Sequence, residues 1–266
     1  MIKIVCLAEN TAADPSVGAE HGLSLYIETS RHRILFDMGQ GDLFARNAAA
    51  LGVDLSGVDL AVLSHGHYDH GGGLSVFLDL NADAPVFVSR HAFEAHWHGP
   101  QKYIGLDPAL AAHPRICLTG DSETALSDGL TLCPGISCGG AVPIDPAGLT
   151  VLRDGVHCPE DFIHEQYLML EDGGQRVLFS GCSHRGILNI MHRFAPDVLI
   201  GGFHFSGIAP GAILSAHAAA LACYNTDYYT CHCTGYAQYT YMKSVMPRLH
   251  YLAGGQTVLL NQQNFA

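Results

Sequence analysis

Apolar residues in this chain fall in short runs divided by polar or glycine-rich turns, and the runs switch between strand-like and helix-like spacing. Residues 2–8 are apolar and partly β-branched, which predicts a strand. Residues 23–28 and 33–37 read as two strands joined by a polar turn, hence a hairpin. Residues 42–51 have helical composition, with Gly52 as the stop. A short apolar strand is expected at 58–64, a glycine-led helix at 71–80, a strand at 86–89 and a helix at 90–98. Prolines at 100, 108 and 114 predict an irregular connection over 99–115. Further strands are expected at 130–133, 150–152, 166–171, 176–180, 198–201 and 258–260, and helices at 187–194 and 211–224. The 166–171 and 176–180 pair flanks Asp172-Gly173-Gly174, a hairpin turn signal. Hairpins interleaved with helices predict an α/β sandwich, because a purely parallel sheet needs a crossover between every pair of strands.

Composition narrows the class. Hydrophobic residues make up 48% of the 266 positions and charged residues 14%, which excludes intrinsic disorder and supplies a sizeable core. We expect a single domain over residues 1–266. The net charge of −12 argues against nucleic-acid and anionic-membrane partners. The apolar run at the start is too short for a signal peptide, and the longest later one, 209–223, is interrupted by Pro210, Ser215 and His217. Nine cysteines form no regular framework, so reduced thiols in a cytoplasmic protein are the expectation. Composition does not speak to oligomeric state. Histidine is unusually frequent: 17 residues, against 13 lysines and arginines together.

The order of those histidines carries the chemistry. Leu63-Ser64-His65-Gly66-His67-Tyr68-Asp69-His70 puts three imidazoles and a carboxylate just after an apolar strand. These are ligands that suit zinc and its first-row neighbours. A loop leaving a buried strand aims such groups from a fixed backbone. The spacing suits two ions, His65 and His67 toward one, Asp69 and His70 toward a second.

In its H-x-H-x-D-H signature, His65 to His70, the chain resembles the metallo-β-lactamase superfamily. The resemblance implies an αββα sandwich, two mixed sheets with helices on their outer faces. It implies that Asp37, at the end of Ile34-Leu35-Phe36-Asp37, orients ligands by hydrogen bonds. It gives His164 or Ser183-His184 as the source of the third ligand of one ion, with His184 preferred. It also gives Cys182 at the position between the ions, where many relatives carry an aspartate; a thiolate is a softer ligand, serving one ion or none. His232, in Cys231-His232-Cys233, completes the second ion with Asp69 and His70, and Cys231 and Cys233 are expected to be packed thiols.

Further phrases narrow the resemblance: Glu9-Asn10-Thr11, His21-Gly22-Leu23-Ser24, Gly71-Gly72-Gly73-Leu74, Gly181-Cys182-Ser183-His184-Arg185, and Gly201-Gly202-Phe203-His204. They resemble the branch that includes 7,8-dihydropterin-6-methyl-4-(β-D-ribofuranosyl)aminobenzene-5'-phosphate synthase. Within it, His21, His204 and Arg185 are candidate substrate contacts. The implied cofactor is a pair of divalent ions, zinc by preference, with manganese and iron as alternatives. The expected activity is hydrolysis of an ester, lactone, amide or phosphoester by a metal-bound hydroxide, with Asp69 as ligand and proton acceptor. The alternatives are a synthase that displaces pyrophosphate at the same metals and a non-catalytic metal- or ligand-binding protein.

Overall fold

A computed structural model describes residues 1–135, 140 and 142–261. Their contacts gather into two compact units. The first comprises residues 1–120, 146–166 and 253–261, and the second is built on 121–145 and 167–252.

The first unit carries a seven-stranded mixed sheet. Its order is Thr257–Leu260, Ile2–Ala8, Ser24–Glu28, Arg33–Phe36, Leu60–Val62, Val86–Ser89 and Ile116–Thr119. The first four strands pair antiparallel and the last four parallel, with Arg33–Phe36 common to both sets. The expected hairpin is present, closed by Thr29, whose N–H donates to the His32 carbonyl at 2.9 Å. Helices Leu43–Ala50 and Leu74–Leu80 lay Phe44, Ala48, Leu74 and Phe77 on Val5, Leu35, Ala61, Leu63 and Val86 of the sheet and its edge. Burial of these side chains is the main stabilising term, roughly 1.5–3 kcal/mol for each large one.

The second unit carries another seven-stranded mixed sheet, ordered Leu249–Tyr251, Asp227–Thr230, Val198–Gly201, Gln175–Phe179, Gln166–Asp172, Leu130–Pro134 and Thr124–Ser127. The strands from Gln175–Phe179 to Leu249–Tyr251 run parallel. Gly173 and Gly174 both take positive φ, 58° and 81°, as a two-residue hairpin turn between twisted strands demands. Helices Ile187–Phe194 and Ala212–Ala222 bury Ile187, Ile190, Met191, Phe194, Leu214, Ala218 and Leu221 in this unit's core.

Two expectations are corrected. Residues 90–98 do not form a helix: Ala95–His98 is a strand in a third sheet ordered Val156–Pro159, Leu149–Arg153, Ala95–His98 and Lys102–Tyr103. The alternating Ala-His-Trp-His pattern fits a strand, and pairing of Val151 opposite His96 holds it. The 71–80 helix is split into Tyr68–Gly71 and Leu74–Leu80. Glycine is required at the break, because a Cβ on Gly72 or Gly73 would lie 2.3 Å from the Gln40 carbonyl oxygen or 2.2 Å from that of Met38. The connection over 99–115 is largely irregular but holds the short strand Lys102–Tyr103 and the 3-10 turn Pro108–Ala112.

Among the described residues no helix is long and apolar enough to cross a membrane. Eight cysteines are free thiols, and the ninth, Cys138, lies outside the described residues.

Candidate metal centre

Strands Arg33–Phe36 and Leu60–Val62 lie side by side and parallel, so their carboxyl ends open at the same edge of the sheet. Asp37 follows one and Leu63-Ser64-His65 the other. Such edges are where open α/β sheets place ligands. Asp37 has φ 60°, a left-handed backbone that an aspartate tolerates better than most residues, and this turns its carboxylate toward the neighbouring loop.

That carboxylate is fully buried and accepts three hydrogen bonds. Oδ1 accepts from the Ser64 backbone N–H at 2.7 Å, and Oδ2 accepts from Ser64 Oγ at 2.7 Å and from His70 Nδ1 at 2.6 Å. With its hydroxyl proton committed to Asp37, Ser64 Oγ accepts from His65 Nδ1 at 2.8 Å. One carboxylate therefore places a proton on Nδ1 of both His65 and His70. Each ring then presents its Nε2 lone pair, the tautomer a metal ligand needs. Burial works against a charged His70, but the nearby Asp37 and Asp69 outweigh it and hold its pKa above the ordinary imidazole value.

His65, His67 and His70 are nearly or wholly buried, and the His65 ring lies 4.6 Å from His67 and 4.1 Å from His70, centre to centre. His67 precedes the short helix Tyr68–Gly71, which carries Asp69 and His70. Asp69 is almost buried, and its Oδ2 lies 3.2 Å from Nε2 of the exposed His21. His21 Nδ1 also meets Asn10 Nδ2 at 3.3 Å.

His164 joins the same cluster, its ring 5.2 Å from His67. Two residues absent from the sequence-based site lie beside it. His96 stacks on His164 at 4.0 Å, and its Nδ1 is 2.8 Å from Glu160 Oε2. His67, His96, Glu160 and His164 each bring a potential ligand atom within 4.8 Å of the others, all buried. Neither His96 nor Glu160 stands in the histidine-rich run at 65–70 or in any of the phrases that carry the resemblance.

In the second unit, Cys182 and His184 follow the strand Gln175–Phe179, and both are buried. The strand-end loops are tied to one another. Ser183 Oγ donates to the Gly202 carbonyl at 2.6 Å, and the His204 N–H donates to Cys233 Sγ at 3.3 Å. Cys233 Sγ in turn lies 3.5 Å from the Cys182 carbonyl. Ser183, His204 and His232 all have positive φ, 59°, 55° and 50°. Non-glycine residues held there mark backbone constrained by its surroundings. The His184 and His204 rings approach to 4.4 Å, His232 is buried in the 3-10 turn His232–Thr234, and Arg185 is half-buried.

The donor set fits divalent metal. Imidazole, carboxylate and thiol are donors that suit zinc and its first-row neighbours, and the chain gathers them in groups whose potential ligand atoms lie within 4.8 Å of one another.

The family model for the metallo-β-lactamase superfamily matches residues 17–209. An uncharacterised protein of Methanocaldococcus jannaschii is 30% identical, the match covering 79% of this chain and 81% of the relative. The same organism's 7,8-dihydropterin-6-methyl-4-(beta-D-ribofuranosyl)-aminobenzene-5'-phosphate synthase is 28% identical, with 94% of each chain covered. A solved structure described as a metal-dependent hydrolase of the β-lactamase superfamily matches with a TM-score of 0.82 and 26% identity, over 98% of this chain and 99% of the other. This chain belongs to the metallo-β-lactamase superfamily and has its fold.

Proposed function

We propose that the chain is a metal-dependent hydrolase acting on an ester, lactone, amide or phosphoester of a small molecule. The observation that carries this is the hydrogen-bonded chain from Asp37 through Ser64 that sets the tautomers of His65 and His70. A structural histidine cluster has no need for several Nε2 lone pairs presented at once.

On the superfamily pattern, His65, His67 and His184 would hold one ion and Asp69, His70 and His232 the other. The same pattern would put Cys182 at the position between the ions, and zinc is the first choice of metal, manganese or iron the others. Two such ions supply a nucleophile from water at neutral pH and polarise the electrophile. Asp69 Oδ2 takes the proton from the attacking water, and His21, 3.2 Å away and largely exposed, passes it toward solvent. His204 and Arg185 contact the substrate. The protein works on small molecules in a reducing cytoplasm rather than on nucleic acid or membrane.

Similarity to the dihydropterin-type synthase favours a second reading. The same ions would hold a pyrophosphate leaving group, with Arg185 as its cation.

The test is metal analysis joined to an activity panel of esters, lactones, amides, phosphoesters and a dihydropterin pyrophosphate. Wild type should bind about two ions per chain, and His65→Ala and His67→Ala should lose metal while remaining folded. Full metal occupancy in both variants would refute the metal-centre reading. Turnover of the pterin substrate alone would select the synthase.

A further inference from the structure

We infer that His164 is not a metal ligand but the residue that positions the His65-Gly66-His67 loop, with the Gly66 N–H fixing its tautomer. The superfamily pattern leaves His164 and His184 contesting one ligand place, and hydrogen bonding separates them.

The backbone N–H of Gly66 donates to His164 Nδ1 at 2.8 Å. A nitrogen that accepts carries no proton, so in a neutral ring the proton sits on Nε2. That nitrogen faces Glu160 Oε1 at 3.6 Å, a carboxylate that favours a proton there. This is the reverse of His65 and His70, whose Nδ1 atoms donate and whose Nε2 atoms carry the lone pair. For His164 to ligate through Nε2 while accepting from Gly66, the ring would have to lose both protons.

Glu160 is itself well anchored. Oε2 lies 2.8 Å from His96 Nδ1, and Oε1 accepts from the Phe162 N–H at 3.1 Å. His96 Nε2 lies 3.3 Å from the His91 carbonyl oxygen, so both its ring nitrogens face acceptors. Both ring nitrogens of His96 and both oxygens of Glu160 are thus engaged beside His164.

Gly66 is the residue between two ligands, and it is held from both sides. His164 accepts its N–H, while a Cβ on it would lie 2.1 Å from the Ala92 carbonyl oxygen. Its place fixes the angle at which His65 and His67 leave the chain.

The inference rests on the metal-centre reading, and the experiment separates the two. Asparagine matches histidine as far as Nδ1, so His164→Asn retains an acceptor for Gly66 but has no atom at the Nε2 position; His164→Ala retains neither. Metal content and affinity of wild type, His164→Asn, His164→Ala and His65→Ala are measured by elemental analysis and competition with a chelator. His164→Asn should hold the wild-type number of ions, and His164→Ala should bind about 10- to 100-fold more weakly. Loss of an ion in His164→Asn, as in His65→Ala, would overturn the assignment in favour of a ligand. Wild-type affinity in His164→Ala would overturn the positioning role. Wild type that binds no metal would instead sink the metal-centre reading. Should the variants fail to fold, 15N spectra of the metal-loaded wild type decide: a proton on His164 Nε2 is expected, and a metal-bound Nε2 overturns the proposal.

Discussion

Replacing Asp37 by Asn changes one oxygen to an NH2 group at the centre of the ligand-orienting network. Asparagine keeps the volume and tolerates the 60° φ about as well, so the change isolates the hydrogen bonds from backbone strain. The amide oxygen can still accept from the Ser64 N–H. Its nitrogen, in place of Oδ2, now donates where two protons formerly arrived, from Ser64 Oγ and His70 Nδ1. The network relaxes by reversing. His70 accepts from the amide, Ser64 Oγ accepts and turns its own proton toward His65 Nδ1, and both imidazoles carry their protons on Nε2. Metal binding must then force each ring back against a donor. A buried donor left without an acceptor costs about 1–3 kcal/mol. One such clash surviving in the metal-loaded state weakens binding about 10- to 100-fold, within the range seen when groups supporting metal ligands are lost. Competition with a chromophoric chelator at fixed pH measures this, and circular dichroism checks the fold. Asp37→Asn protein that is folded and binds metal as tightly as wild type would refute the tautomer argument.

Two other outcomes are expected. Gly66→Ala drives a Cβ into the Ala92 backbone, which cannot yield cheaply, so we expect destabilisation of about 3 kcal/mol with weaker metal binding; an unchanged urea midpoint would contradict the close approach. In the native protein at neutral pH a maleimide should label the exposed Cys223 first. Burial raises the Cys6 thiol well above its usual value and pushes Cys133 up to about 12, so both should react only on unfolding, and labelling of Cys6 as fast as Cys223 would count against its burial.

The elements that carry the motif were legible because local pattern and tertiary role agree there. Ile2–Ala8, the hairpin to Phe36 and the helix Ile187–Phe194 bury the residues that their spacing marks as apolar. Asp227–Thr230 and Leu249–Tyr251 were not expected, because three or four residues such as Asp-Tyr-Tyr-Thr carry no readable period and become strands only by pairing. The helix Tyr236–Lys243 escaped for a related reason: it buries only Gln238 and Met242 and has no apolar stripe. At the site, His65 to His70 share one loop and announce themselves. Glu160 and His96 are 64 residues apart and meet through a carboxylate–imidazole contact that no local spacing encodes. Misreading Ala95–His98 as helical concealed the strand pairing that brings them together.

The strand Thr257–Leu260 pairs with Ile2–Ala8 at the edge of the first sheet. During synthesis, then, Ile2–Ala8 waits for the last strand of its own sheet. Until residues 257–260 leave the ribosome, Ile2–Ala8 offers the backbone groups of one side to any passing strand. The loop bearing His65 to His70 emerges early, long before His164, His184 and His232. The closure of long-range pairs is slow, so the Ile2–Ala8 edge stays open through most of the chain's synthesis.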